Sequence, residues 1–232
     1  MVRSILSLAA AATLACVHGA VIDHDTVPVW PQPTAADATQ KLALRFKPYL
    51  NVVNGCQPYP AVTPTGDVSG GLKPSGGSSA NCNDKGKAQI YSRSGTYNGY
   101  YAIMYAWYMP KDEPSTGIGH RHDWENAIVW LDNAASANIV ALSASAHSGY
   151  KTSYPPDATY LNGISAKISY KSTWPLDHEL GFTTVAGAQQ PLTQWEQMTP
   201  AAQNALETTD FGSADVPFKS NFQDKLAKGF FK

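Results

Sequence analysis

The chain has 232 residues, 43% of them hydrophobic and 11% aromatic, with a formal net charge of −1. That composition supports a globular core and excludes a disordered chain, and the near balance of charge excludes a protein that grips a nucleic-acid backbone. After the first residues no apolar run approaches the roughly 18 residues of a membrane span, so the mature chain is expected to be soluble and monomeric in solution.

Arg3, the apolar run over 5–17 and the small-residue exit Val17-His18-Gly19-Ala20 form the pattern of a secretory leader. Residues 1–19 are expected to be cleaved, the cut falling after Gly19 or Ala20, to leave a single extracellular domain over 20–232. Cys16 lies in the leader, so Cys56 and Cys82 remain as an even pair in an oxidising compartment and are expected to form a disulfide. Residues 35–47 set Ala38, Leu42 and Phe46 four apart and stop at Pro48, which predicts a helix. Past the Gly/Pro-rich stretch between the cysteines the period becomes two, and 87–93, 100–109, 123–131, 138–147 and 165–170 read as strands. In 100–109, Tyr101, Ile103, Tyr105 and Trp107 take one face and Ala102, Met104 and Ala106 the other, so that strand is expected to lie between two layers. Thr199-Pro200 opens a helix through 206, and Ser220 is placed to cap another over 221–228 before Gly229. Together these predict a mainly β fold, a single-domain sandwich of antiparallel strands with peripheral helices.

The most crowded chemistry lies in Gly119-His120-Arg121-His122-Asp123-Trp124-Glu125. Two imidazoles and two carboxylates within seven positions repel and desolvate one another unless a cation or hydrogen bonds compensate. On a strand Asp123 and Glu125 share a face. His120 has the opposite parity and joins them only if Gly117-Ile118-Gly119 is a loop and the strand starts near Asp123. Asp112, at the exit of 100–109, reaches the same edge if the two strands pair as a hairpin. An oxygen-rich set with one nitrogen, Asp112, His120, Asp123 and Glu125, favours Mg²⁺, Mn²⁺ or Ca²⁺ over zinc. His122 and Arg121 read as hydrogen-bonding or ion-pairing supports and Trp124 as packing. His147 and His178 are ambiguous, and Trp174, before Pro175, reads either as packing or as an exposed anchor.

The run from Ala102 through Tyr105-Ala106-Trp107-Tyr108-Met109-Pro110-Lys111-Asp112, continued by Gly119 to Glu125, resembles the signature of the necrosis- and ethylene-inducing peptide-like proteins, secreted cytolysins of plant-associated microbes. Weaker similarity extends over nearly the whole mature chain, and the single cysteine pair matches the family's commonest type. Glu113 and Met109 depart from the family's usual small polar residue and Phe. The resemblance implies a sandwich akin to actinoporins and fungal lectins, with a divalent cation, Mg²⁺ or Ca²⁺, held by Asp112, His120, Asp123 and Glu125. It implies binding of plant glycosyl inositol phosphoryl ceramide headgroups, with Asp177 and His178 on the terminal sugar, His122 and His147 behind the site, and Trp174 against the outer plasma membrane. A plant immune receptor that recognises residues 102–125 is a further candidate partner.

The expected activity is therefore non-enzymatic: headgroup capture followed by membrane damage. A secreted metal-dependent hydrolase is the rival, because His120-Arg121-His122-Asp123 superficially resembles a His-x-His-x-Asp zinc run, although Asp123 follows His122 directly. A non-lytic, lectin-like sugar-binding protein is the third reading.

Overall fold

The structure, a computed structural model, describes residues 19–172 and 177–232. The expected leader, with Cys16, falls almost entirely outside the described residues, and so does Trp174. In chain order the described elements are β1 (Val21–Ile22), α1 (Ala38–Arg45), β2 (Tyr49–Val52), β3 (Val68–Ser69), β4 (Ile90–Tyr97), β5 (Tyr100–Ser115) and β6 (Ile118–Leu131). They continue with β7 (Ile139–Ala146), β8 (Gly149–Ser153), β9 (Leu161–Asn162), β10 (Ser165–Lys171), β11 (Glu179–Phe182), β12 (Leu192–Gln194), α2 (Pro200–Thr208) and α3 (Phe222–Lys228).

A six-stranded sheet ordered β12-β4-β5-β6-β7-β8 packs with a second sheet ordered β11-β10-β2, in which β9 also pairs with β10. The sandwich and the β5–β6 hairpin are as expected, and consecutive strands of the large sheet pair antiparallel. Three pairings are parallel, β1 with β3, β2 with β10 and β4 with β12, each joining strands separated by a long stretch of chain. Both faces of β5 are buried from Tyr101 to Met109. Odd-numbered side chains of β5 and β6 face α1 and the second sheet: the Tyr105 hydroxyl donates to the Ala43 carbonyl (2.7 Å) and Trp107 Nε1 to Gln190 (3.1 Å). Even-numbered ones face the C-terminal segment, with Tyr108 and Trp124 against Phe211 and Trp130 against Phe230 and Phe231.

Local chemistry moves some boundaries. Residues Lys85–Lys87 form a 3₁₀ turn capped by the Asp84 carboxylate, so β4 begins at Ile90 rather than 87 and runs on to an Asn98-Gly99 turn in which both residues have positive φ. The helix at Thr199-Pro200 forms as read, its Thr199 hydroxyl accepting from Ala202 N (3.1 Å). Ser220 is not a cap: its backbone N–H donates to Glu207, and Asn221 takes the cap position of α3 without a side-chain bond.

Cys56 and Cys82 are disulfide-bonded across a sequence separation of 26. The loop they close is tied to β5 by Tyr59 N donating to the Tyr108 carbonyl (2.8 Å) and Leu72 N to the Pro110 carbonyl (2.7 Å). The bond's main effect is on the unfolded chain, so Cys56→Ser with Cys82→Ser is expected to cost roughly 3 kcal/mol of stability. Urea denaturation measures this, and an unchanged midpoint would refute it.

Candidate functional site

The site forms where the β5–β6 hairpin leaves the sandwich. Strand β6 starts at Ile118, five residues before the expected start near Asp123, and Asp112 pairs directly with His120. The parity obstacle is removed differently from the expected loop. His122 takes a left-handed conformation (φ 61°) that interrupts side-chain alternation, so His120 and Asp112 come to the side occupied by Asp123. Gly119 makes the crossing (φ 119°), and a Cβ there would lie 2.1 Å from the Asp112 carbonyl oxygen, so no other residue fits.

Asp112, His120, Asp123, Glu125, His147, Asp177 and His178 all line one cavity of about 350 Å³. Ligand atoms of Asp112, His120 and Asp177 lie within 4.8 Å of one another, which puts Asp177 alongside the expected cation set. The His120 Nδ1–H donates to the His122 carbonyl (2.7 Å), leaving the Nε2 lone pair 3.8 Å from Asp112 Oδ2. That is too long for a hydrogen bond and suits two donors sharing an ion. Asp112 is fixed by His178, whose backbone N–H reaches Oδ2 (2.9 Å) and whose Nδ1 reaches Oδ1 (2.5 Å). The His178 ring is buried and stacks on Tyr170 at 4.7 Å, and the Tyr170 hydroxyl donates to Asp123 (2.8 Å). Ser145 donates to Glu125. His178 Nε2 is buried with no hydrogen-bond partner among the described residues.

Three other predicted residues, His122, Arg121 and His147, flank the acidic cluster, His147 on the cavity wall. His122 Nδ1 meets the Tyr108 hydroxyl at 2.6 Å and its ring lies edge-on to Phe211, while burial and the Arg121 charge lower its pKa to about 4. It is a neutral support, and the charged Arg121 guanidinium is a second one, donating to the Gly70 and Gly71 carbonyls. His147 faces Glu179, with Nε2 3.4 Å from Oε2, and Glu179 also pairs with Lys151. Sequence reasoning missed Tyr170 and Ser145, which ended or sat within predicted strands and carried no motif of their own.

The acids are mutually destabilising without a counter-charge. Asp123 is raised to about 7, first by burial and then by the Asp112 charge, against the Tyr170 hydrogen bond. Burial, with the Asp123 charge, pushes Glu125 well above the ordinary carboxylate range. Such a set, mostly oxygen and one imidazole lone pair, fits a hard divalent cation. Unfolded Asp and Glu ionise near pH 4, so between about pH 4 and 7 the cation-free native state holds protons that the unfolded state has lost, and stability falls as pH rises. In EDTA the melting temperature is therefore expected to drop from pH 5 to pH 8, and saturating Mg²⁺ or Ca²⁺ is expected to abolish that slope. A cation-free protein most stable at pH 8 would contradict this.

Residues 40–229 match the family described as necrosis inducing protein (NPP1). The chain is 55% identical over 223 residues to NLP effector protein 1 of Phytophthora capsici, covering 95% of each chain. It resembles a solved structure of NLPPya in complex with mannosamine (80% identity, TM-score 0.91, covering 92% of this chain and 100% of that one). It also resembles one described as a toxin fold as basis for microbial attack and plant defense (79% identity, TM-score 0.91, covering 91% of this chain and 100% of that one).

Proposed function

From the site's geometry, and because the chain belongs to the NPP1 family of necrosis-inducing proteins, we propose that it is a secreted necrosis-inducing toxin that binds plant sphingolipid headgroups through a divalent cation. The observation that carries this reading is the convergence of Asp112, His120 and Asp177 on one point of a cavity also lined by buried Asp123 and Glu125. The relative bound to mannosamine supports a sugar as the ligand class. Mg²⁺ or Ca²⁺ bound there supplies coordination positions for sugar hydroxyls. Asp112, His120, Asp123, Glu125 and exposed Asp177 hold the ion, and His178 and Tyr170 keep two of the carboxylates aimed. Binding occurs at the outer face of the host plasma membrane and damages the bilayer without covalent chemistry, with Trp174 as membrane contact and the protein monomeric in solution. An immune receptor specific for residues 102–125 would read a released peptide, since most of that stretch is buried in the fold.

The test is dye release from vesicles carrying glycosyl inositol phosphoryl ceramide, with and without chelator. Leakage is expected to stop in EDTA and to return with excess Mg²⁺ or Ca²⁺. Full leakage after exhaustive chelation would overturn the cation's role. Cation-dependent binding without leakage would favour the lectin-like reading, and release of a cleaved headgroup the hydrolase.

A further inference from the structure

Asp67, just before β3, meets the first residues of the described chain. Its Oδ1 accepts from Ala20 N (2.8 Å) and its Oδ2 from the Thr65 hydroxyl (2.9 Å), and these bonds hold the carboxyl below its usual range. Val68 N then donates to the Ala20 carbonyl (2.8 Å) and Gly70 N to the Ile22 carbonyl (2.7 Å), which lays β1 along β3. A Cβ on Gly19 would lie 1.9 Å from the Gly66 carbonyl oxygen, so the chain joins the fold where there is no room for a side chain.

The leader's exit allows a cut after Gly19 or after Ala20, and the two leave different ends on this corner. Leader peptidases take small side chains one and three residues before the cut. A cut after Gly19 puts Gly19 and Val17 in those places, whereas a cut after Ala20 puts the larger, ionisable His18 in the distal one. Loss of Ala20 would also take the donor from Asp67 Oδ1 and the acceptor from Val68 N.

We propose that the leader is removed at the Gly19–Ala20 bond and that Asp67 is the seat for the α-ammonium this creates. Water supplies the oxygen that leaves Gly19 as a carboxylate on the leader, and its protons go to the Ala20 nitrogen. Before the cut Ala20 offers Asp67 a neutral amide N–H; after it, a cation stands in the same place. The pair acts beyond the terminus, because Gly70, held by β1, accepts in turn from Arg121 beside His122. Among the described residues no other charge faces it. Helix α2 packs Ala201, Asn204, Ala205, Thr208 and Thr209 on this corner, and the other side-chain partners of Asp67 are the Thr63 and Thr65 hydroxyls.

The proposal rests on the secretory leader, and sequencing the amino terminus of protein secreted from the full-length chain is its first test. Ala20 is expected in first place, and any other start after leader removal would overturn the assignment. The second test compares the chain starting at free Ala20 with the same chain acetylated on the Ala20 nitrogen, each with and without Asp67→Asn. A paired α-ammonium titrates above its ordinary value near pH 8, so its contribution is full below that pH and is lost as pH rises. Acetylation is therefore expected to lower the melting temperature by about 1 to 3 °C at pH 6.5 and low salt, as for an exposed ion pair, and by nothing near pH 10 or in 1 M salt. In Asp67→Asn it is expected to change nothing at any pH. A cost of acetylation that is equal in both backgrounds, or absent with Asp67 in place, refutes the ion pair. Secreted protein that keeps its leader would instead overturn the secretory reading, with the comparison on the Ala20 chain still deciding the pair.

Discussion

Asp112→Asn is expected to abolish cation binding and vesicle leakage while leaving the fold intact. Asp112 is the member of the site that most other groups touch: two bonds from His178 fix it, and His120 and Asp177 converge with it. Loss of a supporting residue behind a metal ligand commonly costs 10- to 100-fold in affinity, so loss of the charged ligand is expected to exceed about 100-fold. The folded state pays little. Asparagine retains one acceptor for His178 and loses about 1 kcal/mol of hydrogen bonding. In return, the Asp112 charge that raises Asp123 and Glu125 is gone. Without cation, variant and wild type should therefore melt within a few degrees of each other at pH 7.5. The difference appears on adding Mg²⁺ or Ca²⁺: at 100 times the dissociation constant the wild type gains about 2.7 kcal/mol, some 5 to 10 °C for a chain of this size, and the variant gains nothing. An equal thermal shift in both proteins would remove Asp112 from the cation site.

The sequence made some of this legible because the relevant forces are local. Alternation along 100–109 and 123–131 is written in side chains two apart, and the hairpin that pairs them follows. Helix α2 announces itself through Thr199 and Pro200, and the disulfide follows from compartment and count. Short strands such as β2 and β12 escaped notice because parallel pairing depends on partners more than a hundred residues away, and two to four residues carry too little pattern. Within the site, residue types and spacing pointed to Asp112, His120, Asp123 and Glu125, which line one cavity, while the group whose ligand atoms converge is Asp112, His120 and Asp177. They did not reveal how His120 reaches them, because a left-handed His122 inside a strand is a tertiary result that Gly71 accommodates by lying where a Cβ would strike the His122 ring at 2.6 Å. Tyr170 was hidden for the same reason, its role appearing only once β10 lies over β6.

Glu113→Gln is expected to be among the most destabilising single substitutions at this end of the molecule, although Glu113 touches neither cation nor ligand. Lys111 and Glu113 flank Asp112 on β5, and at 1% and 0% side-chain exposure they are fully buried against each other. The three Lys111 ammonium donors are all used, on Glu113 and on the Ser75 and Gly77 carbonyls (3.1 and 3.0 Å), and Glu113 Oε1 accepts from Gly117 N (2.7 Å). Burial opposes ionisation of Glu113, but Lys111 and the Gly117 N–H outweigh it and hold the carboxyl below its usual range. A glutamine keeps the shape and removes the counter-charge, leaving a buried ammonium uncompensated. That costs about 3 to 5 kcal/mol, or roughly 10 °C or more in melting temperature. Replacing both partners, Lys111→Met with Glu113→Leu, removes the stranded charge, and the exposed loop at Ser75 and Gly77 can turn its carbonyls to water. The double variant is therefore expected to recover most of the loss, because an apolar pair of similar volume is often as stable as the ion pair it replaces. Cation affinity supplies the second readout: it should fall in Glu113→Gln, where the strand beside Asp112 loosens, and return in the double variant. A cost below about 1 kcal/mol for Glu113→Gln would place the pair in the weak, hydrated class of surface ion pairs and leave Asp112 held by His178 alone.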